Sequence, residues 1–113
     1  MKDNIVYLKH ILESIAKIEE YIKDFDYESF IADEKTVDSV VKKLEVIGEA
    51  ANRVDKDFQS KYLDIPWDKI IGMRNRLIHD YLVINTKVVW ETCQSDIKEL
   101  KNFILKTFPD INS

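Results

Sequence analysis

The sequence contains very little glycine, proline or cysteine. Its 113 residues include two glycines, two prolines and a single cysteine, Cys93. Scarce glycine and proline leave little material for the tight turns of a multi-stranded sheet, so we expect a mainly helical chain. A single cysteine excludes an intrachain disulfide and a cysteine-rich zinc cluster, and it is typical of a protein of the reducing cytoplasm.

Two further absences concern membranes and nucleic acid. No apolar run approaches the roughly 20 residues that a membrane helix needs, and the N-terminal MKDNIVYLKH lacks the uninterrupted apolar segment of a signal peptide. We therefore expect neither membrane insertion nor export by that route. The formal net charge is -4, whereas proteins that coat nucleic acid usually carry a strongly basic face. Only a small, local nucleic-acid site is compatible with this charge.

Four series of apolar residues at helical spacing predict four amphipathic helices. Their approximate bounds are Asp3 to Ile22, Val37 to Val54, Pro66 to Asp80, and Asn85 or Thr86 to Phe108. Asp3 and Asn85 or Thr86 are the expected N-caps, because their side chains can accept a hydrogen bond from a free backbone N–H. Residues 24–33 are interpreted as a connection with at most a short helical turn. Residues 81–86, YLVINT, are too short and too isolated to predict a sheet.

This order of helices favours an all-α fold, a single domain over residues 1–113 built as an antiparallel, up-and-down four-helix bundle. Gly48-Glu49-Ala50-Ala51 forms a low-bulk patch within the second helix, which suits the close approach of a neighbouring helix. A glycine that is merely tolerated there is an equal alternative.

The third predicted helix carries an unusual group of polar side chains in RNRLIHDY, residues 74–81. The core-facing stripe of this helix is expected to comprise Trp67, Ile70, Met73, Leu77 and Ile78. Arg76 falls on the solvated side, whereas Arg74 lies about 40° from Ile70 on an ideal helix, between core positions. An unpaired buried guanidinium would be costly, so we expect Arg74 to pair with a carboxylate of another helix or to extend to the edge of the core.

Asn75 and His79 share another polar sector with Gly72, and their i, i+4 spacing lets them act on one group. Arg74 and His79 are five residues apart, which separates them by roughly 140° on an ideal helix. Both can serve one phosphate only if the arginine wraps around the helix, the helix ends or distorts near Ile78, or a second subunit completes the site. From spacing alone, a lone histidine in such a helix is more often structural than catalytic.

The stretch RNRLIHDY resembles the Arg-X4-6-His motif of the HEPN superfamily of ribonucleases, in the extended form Arg-X4-His-X-Tyr of HepT-type toxins. The flanking IPWDKIIGM and the earlier KKLEVIGEAANRV are also similar to that family, as is the order of the four helices. The asparagine after the arginine, the tyrosine and the Pro-Trp pair make the resemblance specific. It implies a HEPN-type helical bundle that forms a homodimer, with the two motifs facing each other across a shared cleft.

The resemblance also implies a metal-independent endoribonuclease that needs no cofactor. His79 would act as general base on a ribose 2′-hydroxyl or as acid on the leaving 5′-oxygen, with the histidine of the second subunit in the complementary role. Arg74 would hold the scissile phosphate, and Asn75 would position that phosphate or orient His79. Glu49 could pair with Arg74 or simply face water. His10 and Cys93 lack a companion cluster and are interpreted as structural, so no metal site is expected.

Tyr81 has an implied role in regulation. In HepT systems a minimal nucleotidyltransferase antitoxin of MntA type transfers AMP to the motif tyrosine, which would block the cleft by charge and bulk. Without the resemblance, Tyr81 would be read as a packing residue just past a helix end. The expected partners are therefore RNA, this antitoxin and a second copy of the chain, with no DNA or membrane. The alternative is a non-catalytic HEPN module that uses Arg74 and His79 to bind nucleotide for a partner nucleotidyltransferase.

Overall fold

A computed structural model describes residues 2–80 and 83–112, without the side chains of Lys2, His79 and Asp80. Its elements are α1 Lys2–Ile22, α2 Tyr27–Ala32, α3 Glu34–Arg53, α4 Lys56–Lys61, α5 Trp67–Ile71, α6 Met73–Leu77, β1 Ile78–Asp80, β2 Val83–Ile84, α7 Thr86–Glu91 and α8 Ile97–Thr107. A π-helical segment, Thr92–Asp96, joins α7 to α8. The described chain is mainly helical, which confirms the all-α expectation. None of its described helices is both long enough and apolar enough to cross a membrane.

The two longest helices, α1 and α3, pack along each other. Their apolar stripes supply much of the buried core: Leu8, Ile11, Ile15, Ile18, Val37, Val40, Val41, Leu44, Ile47 and Ala51. The backbone N–H of Asp55, just after α3, donates to Oδ1 of Asn4 at 3.0 Å. The start of α1 therefore lies beside the end of α3, and the two helices run in opposite directions. Asp3 lies inside the first turn rather than at the N-cap, because α1 already includes Lys2.

Side-chain caps fix the starts of α2 and α3. Asp26 accepts from the backbone N–H of Ser29 at 2.8 Å, and the Ser29 hydroxyl accepts from the backbone N–H of Asp26 at 3.0 Å. The backbone N–H of Ser29 and the Ser29 hydroxyl, which also donates to Oδ1 of Asp26 at 2.9 Å, lower the pKa of the Asp26 carboxyl. Asp33 caps α3 by accepting from the backbone N–H of Thr36 at 3.1 Å. The short helical turn within residues 24–33 is confirmed as α2, whereas α4 was not anticipated from the sequence.

α3 and α5 come into close contact at Gly48. A Cβ atom at Gly48 would lie 3.2 Å from the carbonyl oxygen of Ile70 and 3.7 Å from that of Ile71. The first distance is shorter than an ordinary carbon–oxygen contact, so the absence of a side chain is what allows this approach. Of the two interpretations of the low-bulk patch, close helix packing is confirmed.

The third predicted helix is interrupted at Gly72. This residue has φ -82° and ψ 3°, well away from helical ψ, and it separates α5 from α6. The side chains of the predicted stripe nevertheless remain in or against the core: Trp67, Ile70, Met73 and Leu77 are buried, and Ile78 is partly buried. The predicted core residues of this segment are therefore confirmed, although the prediction of a single continuous helix is wrong.

The predicted extension of this helix to Asp80 is also wrong. α6 ends at Leu77, and Ile78 already has the extended values φ -113° and ψ 110°. β1 then pairs antiparallel with β2, with Ile78 opposite Ile84. The backbone N–H of Asn85 donates to the carbonyl oxygen of Leu77 at 2.7 Å, which satisfies a group that the helix end leaves free. The β-branched residues on both sides favour extended backbone, and their pairing outweighs one more helical turn.

The fourth predicted helix is present as α7, the π-helical segment and α8 in continuous succession. Asn85 caps it by accepting from the backbone N–H of Val88 at 3.2 Å, so Asn85 rather than Thr86 is the N-cap. Its buried side chains include Val89, Thr92, Cys93, Ile97, Leu100 and Ile104. α8 ends at Thr107, as expected from the following Phe-Pro pair.

Candidate active site

Arg74 lies in the first turn of α6, directly after the break at Gly72. Its Nε donates to Oε2 of Glu45 on α3 at 3.1 Å, and 58% of its side chain is exposed. The expectation that Arg74 leans between core positions is wrong, because more than half of its side chain is exposed and its Nε binds a carboxylate on α3. One of the two explanations offered for this arginine, a salt bridge to a carboxylate on another helix, is confirmed.

The contact with Glu45 occupies only one edge of the guanidinium. Among the side chains that the structure describes, Glu45 is the one that binds Arg74, and it does so at Nε. No described side chain binds Nη1 or Nη2. A guanidinium with two free Nη groups can bind two oxygens of one phosphate, which a lysine cannot do with the same geometry.

Arg74 lines an open groove of about 580 Å³, which is also lined by residues of α1 and α3. Charged and polar side chains of its lining are His10, Lys42, Glu45, Glu49, Asn52, Arg53 and Arg74, with Tyr7 and Ile71 among the apolar and aromatic ones. With His10 neutral, three cations and two carboxylates give the lining a formal charge of +1, against -4 for the whole chain. The lining is thus slightly positive on a chain that is acidic as a whole.

Glu49 does not contact Arg74. Its Oε1 accepts from Nε of Arg53 at 3.2 Å, an i, i+4 pair on the surface of α3. Glu45, one helical turn earlier, is the carboxylate that Arg74 binds. Sequence periodicity missed Glu45 because both glutamates lie on one face of α3, and only the packing of α6 decides which of them is in reach.

Asn75 and Arg76 follow Arg74 in the sequence, but their side chains have different surroundings. Asn75 is exposed. Arg76 contacts Oδ2 of Asp96 through Nη1 at 3.4 Å, and Lys69 contacts Oδ1 of the same carboxylate at 3.5 Å. Both cations lie on the side of α5 and α6 that faces the π-helical segment. The solvated interpretation of Arg76 is confirmed, and the two arginines of the motif lie in separate environments.

His79 follows the end of α6. Its backbone belongs to β1, whereas its side chain and the whole of Tyr81 lie outside the described residues. Because α6 ends at Leu77, the 140° separation of Arg74 and His79 on an ideal helix does not apply. Of the three ways foreseen for bringing these residues to one phosphate, the structure shows a helix that ends before the histidine.

Comparison with known proteins assigns the family. Residues 11–107 match the model of the family described as ribonuclease HepT-like. The chain belongs to this family. The resemblance noted in the sequence is thereby confirmed, and it covers most of the chain, including α3, α6 and β1.

Individual relatives share about two-fifths of their residues with the chain. A Thermococcus cleftensis protein named as a probable ribonuclease HepT is 40% identical over 95 residues, 84% of this chain and 86% of that protein. A Caldanaerobacter subterraneus subsp. tengcongensis protein named provisionally as an RNase is 39% identical over 101 residues, 89% of this chain and 90% of that protein.

A third relative is a longer protein. This Methanocaldococcus jannaschii protein, named as a gamma-glutamylcyclotransferase and provisionally as an RNase, is 40% identical over 111 residues, 98% of this chain. The chain spans 50% of its length. No solved structure gives a significant match.

Proposed function

We propose that the protein is an endoribonuclease toxin of HepT type, in which Arg74 and His79 act on one RNA phosphate. The observation that carries this proposal is the exposed guanidinium of Arg74, which Glu45 holds at Nε. Arg74 lies three residues before the end of the helix that leads to His79. The naming of the family and its members as ribonucleases supports the same reaction. Asn75, exposed beside Arg74, is the supporting residue that positions the phosphate or orients His79.

The reaction follows from the chemistry of these groups. The Nη groups of Arg74 bind the non-bridging oxygens of the phosphate and stabilise the charge that develops on them. His79 takes the proton of the ribose 2′-hydroxyl, and the freed oxygen attacks phosphorus. The bond from phosphorus to the 5′-oxygen breaks, and the protonated histidine of a second subunit donates its proton to that oxygen. The products are a 2′,3′-cyclic phosphate and a free 5′-hydroxyl, formed without metal or cofactor. DNA is not a substrate, because it lacks the 2′-hydroxyl.

The proposed assembly is a homodimer of single-domain chains, each spanning residues 1–113. In each chain α1, α3, α5 with α6, and α7 with α8 form the four members of an antiparallel bundle of HEPN type. Two copies would place two motifs at one cleft, which supplies the second histidine that the reaction needs. We place this dimer in the cytoplasm, where its RNA substrate is present.

Regulation is proposed to occur at Tyr81, two residues after His79. Transfer of AMP to this tyrosine by an MntA-like nucleotidyltransferase antitoxin would add a phosphate that competes with RNA for Arg74. Coexpression with such an enzyme is expected to increase the intact mass by whole AMP units in the wild type and not in Tyr81→Phe. An unchanged wild-type mass, or equal increments in Tyr81→Phe, would contradict the switch.

The nuclease is tested by cleavage of RNA in the presence of EDTA. Arg74→Ala is expected to slow cleavage by about 100-fold or more, the effect of removing a donor that stabilises transition-state charge. His79→Ala is expected to abolish the acid–base step, and 2′,3′-cyclic phosphate ends should be found only with active protein. Arg76→Ala is the matched control, since this arginine binds Asp96 instead.

The decisive negative result is intact RNA after incubation with folded, dimeric, unmodified wild-type protein. If the same protein binds nucleotides without cleaving RNA, a non-catalytic HEPN binding module replaces the proposed nuclease.

A further inference from the structure

We infer that Glu45 is a positioning residue for Arg74, which fixes the guanidinium at Nε so that Nη1 and Nη2 meet the phosphate. This inference rests on the proposed function and adds to it a residue that lies outside the RNRLIHDY motif. It starts from the contact between Oε2 of Glu45 and Nε of Arg74 at 3.1 Å.

The shape of the guanidinium explains how this contact can orient Arg74. An arginine can present either its Nε side or its Nη end to an anion, and its long side chain can rotate between the two. Glu45 occupies the Nε side. With that side engaged, the Nη end is the one that remains for a phosphate, so one carboxylate selects the binding mode and removes part of the rotational freedom of Arg74.

The exposure of the pair indicates that its role is not mainly in folding. The side chains of Arg74 and Glu45 are 58% and 35% exposed. Ion pairs in such surroundings contribute little to the stability of a fold, because water screens them and ordering two long side chains costs entropy. A contact that contributes so little to stability can be removed with the fold intact, and its contribution to catalysis can then be measured separately.

The backbone holds Glu45 in reach of Arg74. Glu45 and Gly48 are three residues apart on α3 and therefore share a face. At Gly48 the helix lies against the carbonyl groups of Ile70 and Ile71, at the end of α5. Arg74 lies three residues after Ile71, in the first turn of α6. The close approach permitted by Gly48 thus sets the distance across which Glu45 binds Arg74.

Charge repulsion alone would give Glu45 the opposite effect on RNA binding. A carboxylate that only competed with the phosphate would weaken RNA binding, so its removal would speed cleavage. A positioning carboxylate works through the orientation of Arg74, so its removal would slow cleavage. The two roles therefore predict changes of opposite sign in the rate.

The experiment compares Glu45→Ala and Glu45→Gln with Asp38→Asn in single-turnover RNA cleavage. Asp38 is the matched control, because it is an exposed carboxylate of α3, seven residues before Glu45, and is not part of the groove lining. We expect Glu45→Ala to lower the rate at saturating RNA by about 10- to 100-fold, with little change in thermal midpoint. Glu45→Gln keeps an oxygen that can accept from Nε and should retain an intermediate rate. Asp38→Asn should match the wild type.

Two further measurements identify the pathway of the effect. In the Arg74→Ala background, Glu45→Ala should cause no further loss, because its effect is transmitted only through the arginine. In the ¹H–¹⁵N NMR spectrum, the Nε–H resonance of Arg74 should move in Glu45→Ala and stay in place in Asp38→Asn.

An unchanged or faster rate in Glu45→Ala, beside an inactive Arg74→Ala, would overturn the inference and leave the proposed nuclease standing. An equal additional loss in the Arg74→Ala background would overturn it as well. Absence of cleavage by the wild type would instead overturn the proposed function, and the positioning role would fall with it.

Discussion

At the scale of single residues, two arginines separated by one position have different partners. Arg74 binds Glu45 on α3 beside the groove, and Arg76 binds Asp96 on the opposite side of α6. The difference arises because residues two apart on a helix point about 200° away from each other. A motif that forms one polar cluster in the sequence is thus divided between the groove and the contact with the π-helical segment.

Cys93 is a second residue whose chemistry is set by its surroundings. It is 3% exposed, and burial raises the pKa of its thiol to about 12. The reactive thiolate is therefore nearly absent at neutral pH. We expect the native protein to resist labelling by iodoacetamide at pH 7.5 and to be alkylated fully once unfolded in guanidinium chloride, as measured by intact mass. Rapid labelling of the native protein would contradict the buried position of this thiol.

At the scale of elements, the site depends on interruptions of helical structure. Gly72 divides the third predicted helix, and the hairpin of β1 and β2 replaces its last turn. Arg74 lies just after the first interruption, and the second places His79 beyond the end of α6. The close contact of α3 with α5 at Gly48 then brings a carboxylate to Arg74. These interruptions give the short motif its geometry.

Gly48→Val tests the contact between α3 and α5. The added side chain would begin 3.2 Å from the Ile70 carbonyl oxygen, a backbone atom that cannot move aside as a side chain can. We expect a loss of about 1 to 3 kcal/mol in the free energy of unfolding, as in other overpacked cores, measured by urea denaturation. Cleavage should fall by more than this loss of folded protein explains, because Glu45 moves with α3. Ala16→Val on the exposed face of α1 is the control, and equal stability in both variants would contradict the packing argument.

At the scale of the whole molecule, an acidic chain must bind an acidic polymer. The net charge is -4, while the groove lined by Arg74 carries +1. Long-range attraction to RNA is therefore weak, and the proposed nuclease would depend on contacts within the groove and on the second copy of the site that the proposed dimer supplies. This balance favours a small cleft over an extended binding face.

The proposed dimer gives a prediction at this scale. Sedimentation is expected to give twice the 13.3 kDa mass of one chain. Dilution that produces monomer should lower the cleavage rate per chain, because the second histidine is lost with the partner. Activity that stays proportional to chain concentration after complete dissociation would show that one chain suffices.

The sequence by itself determined the helical class, the core-facing residues and the family. Apolar spacing marks which side chains are buried whatever the bounds of a helix, so Ile70, Met73 and Leu77 were placed in the core although their helix is interrupted. The motif RNRLIHDY likewise identifies the family without coordinates, because residue types and spacing carry the resemblance.

Only the tertiary structure decided how the site is arranged. The sequence left open whether Glu49 pairs with Arg74 and predicted a helix running through to Asp80, whereas the structure has Glu45 beside Arg74 and a helix end at Leu77. Both differences arise from interactions between segments distant in the sequence: the packing of α3 on α5, and the pairing of β1 with β2. Helical periodicity describes one segment at a time and contains no information on which turn of a neighbouring helix lies opposite.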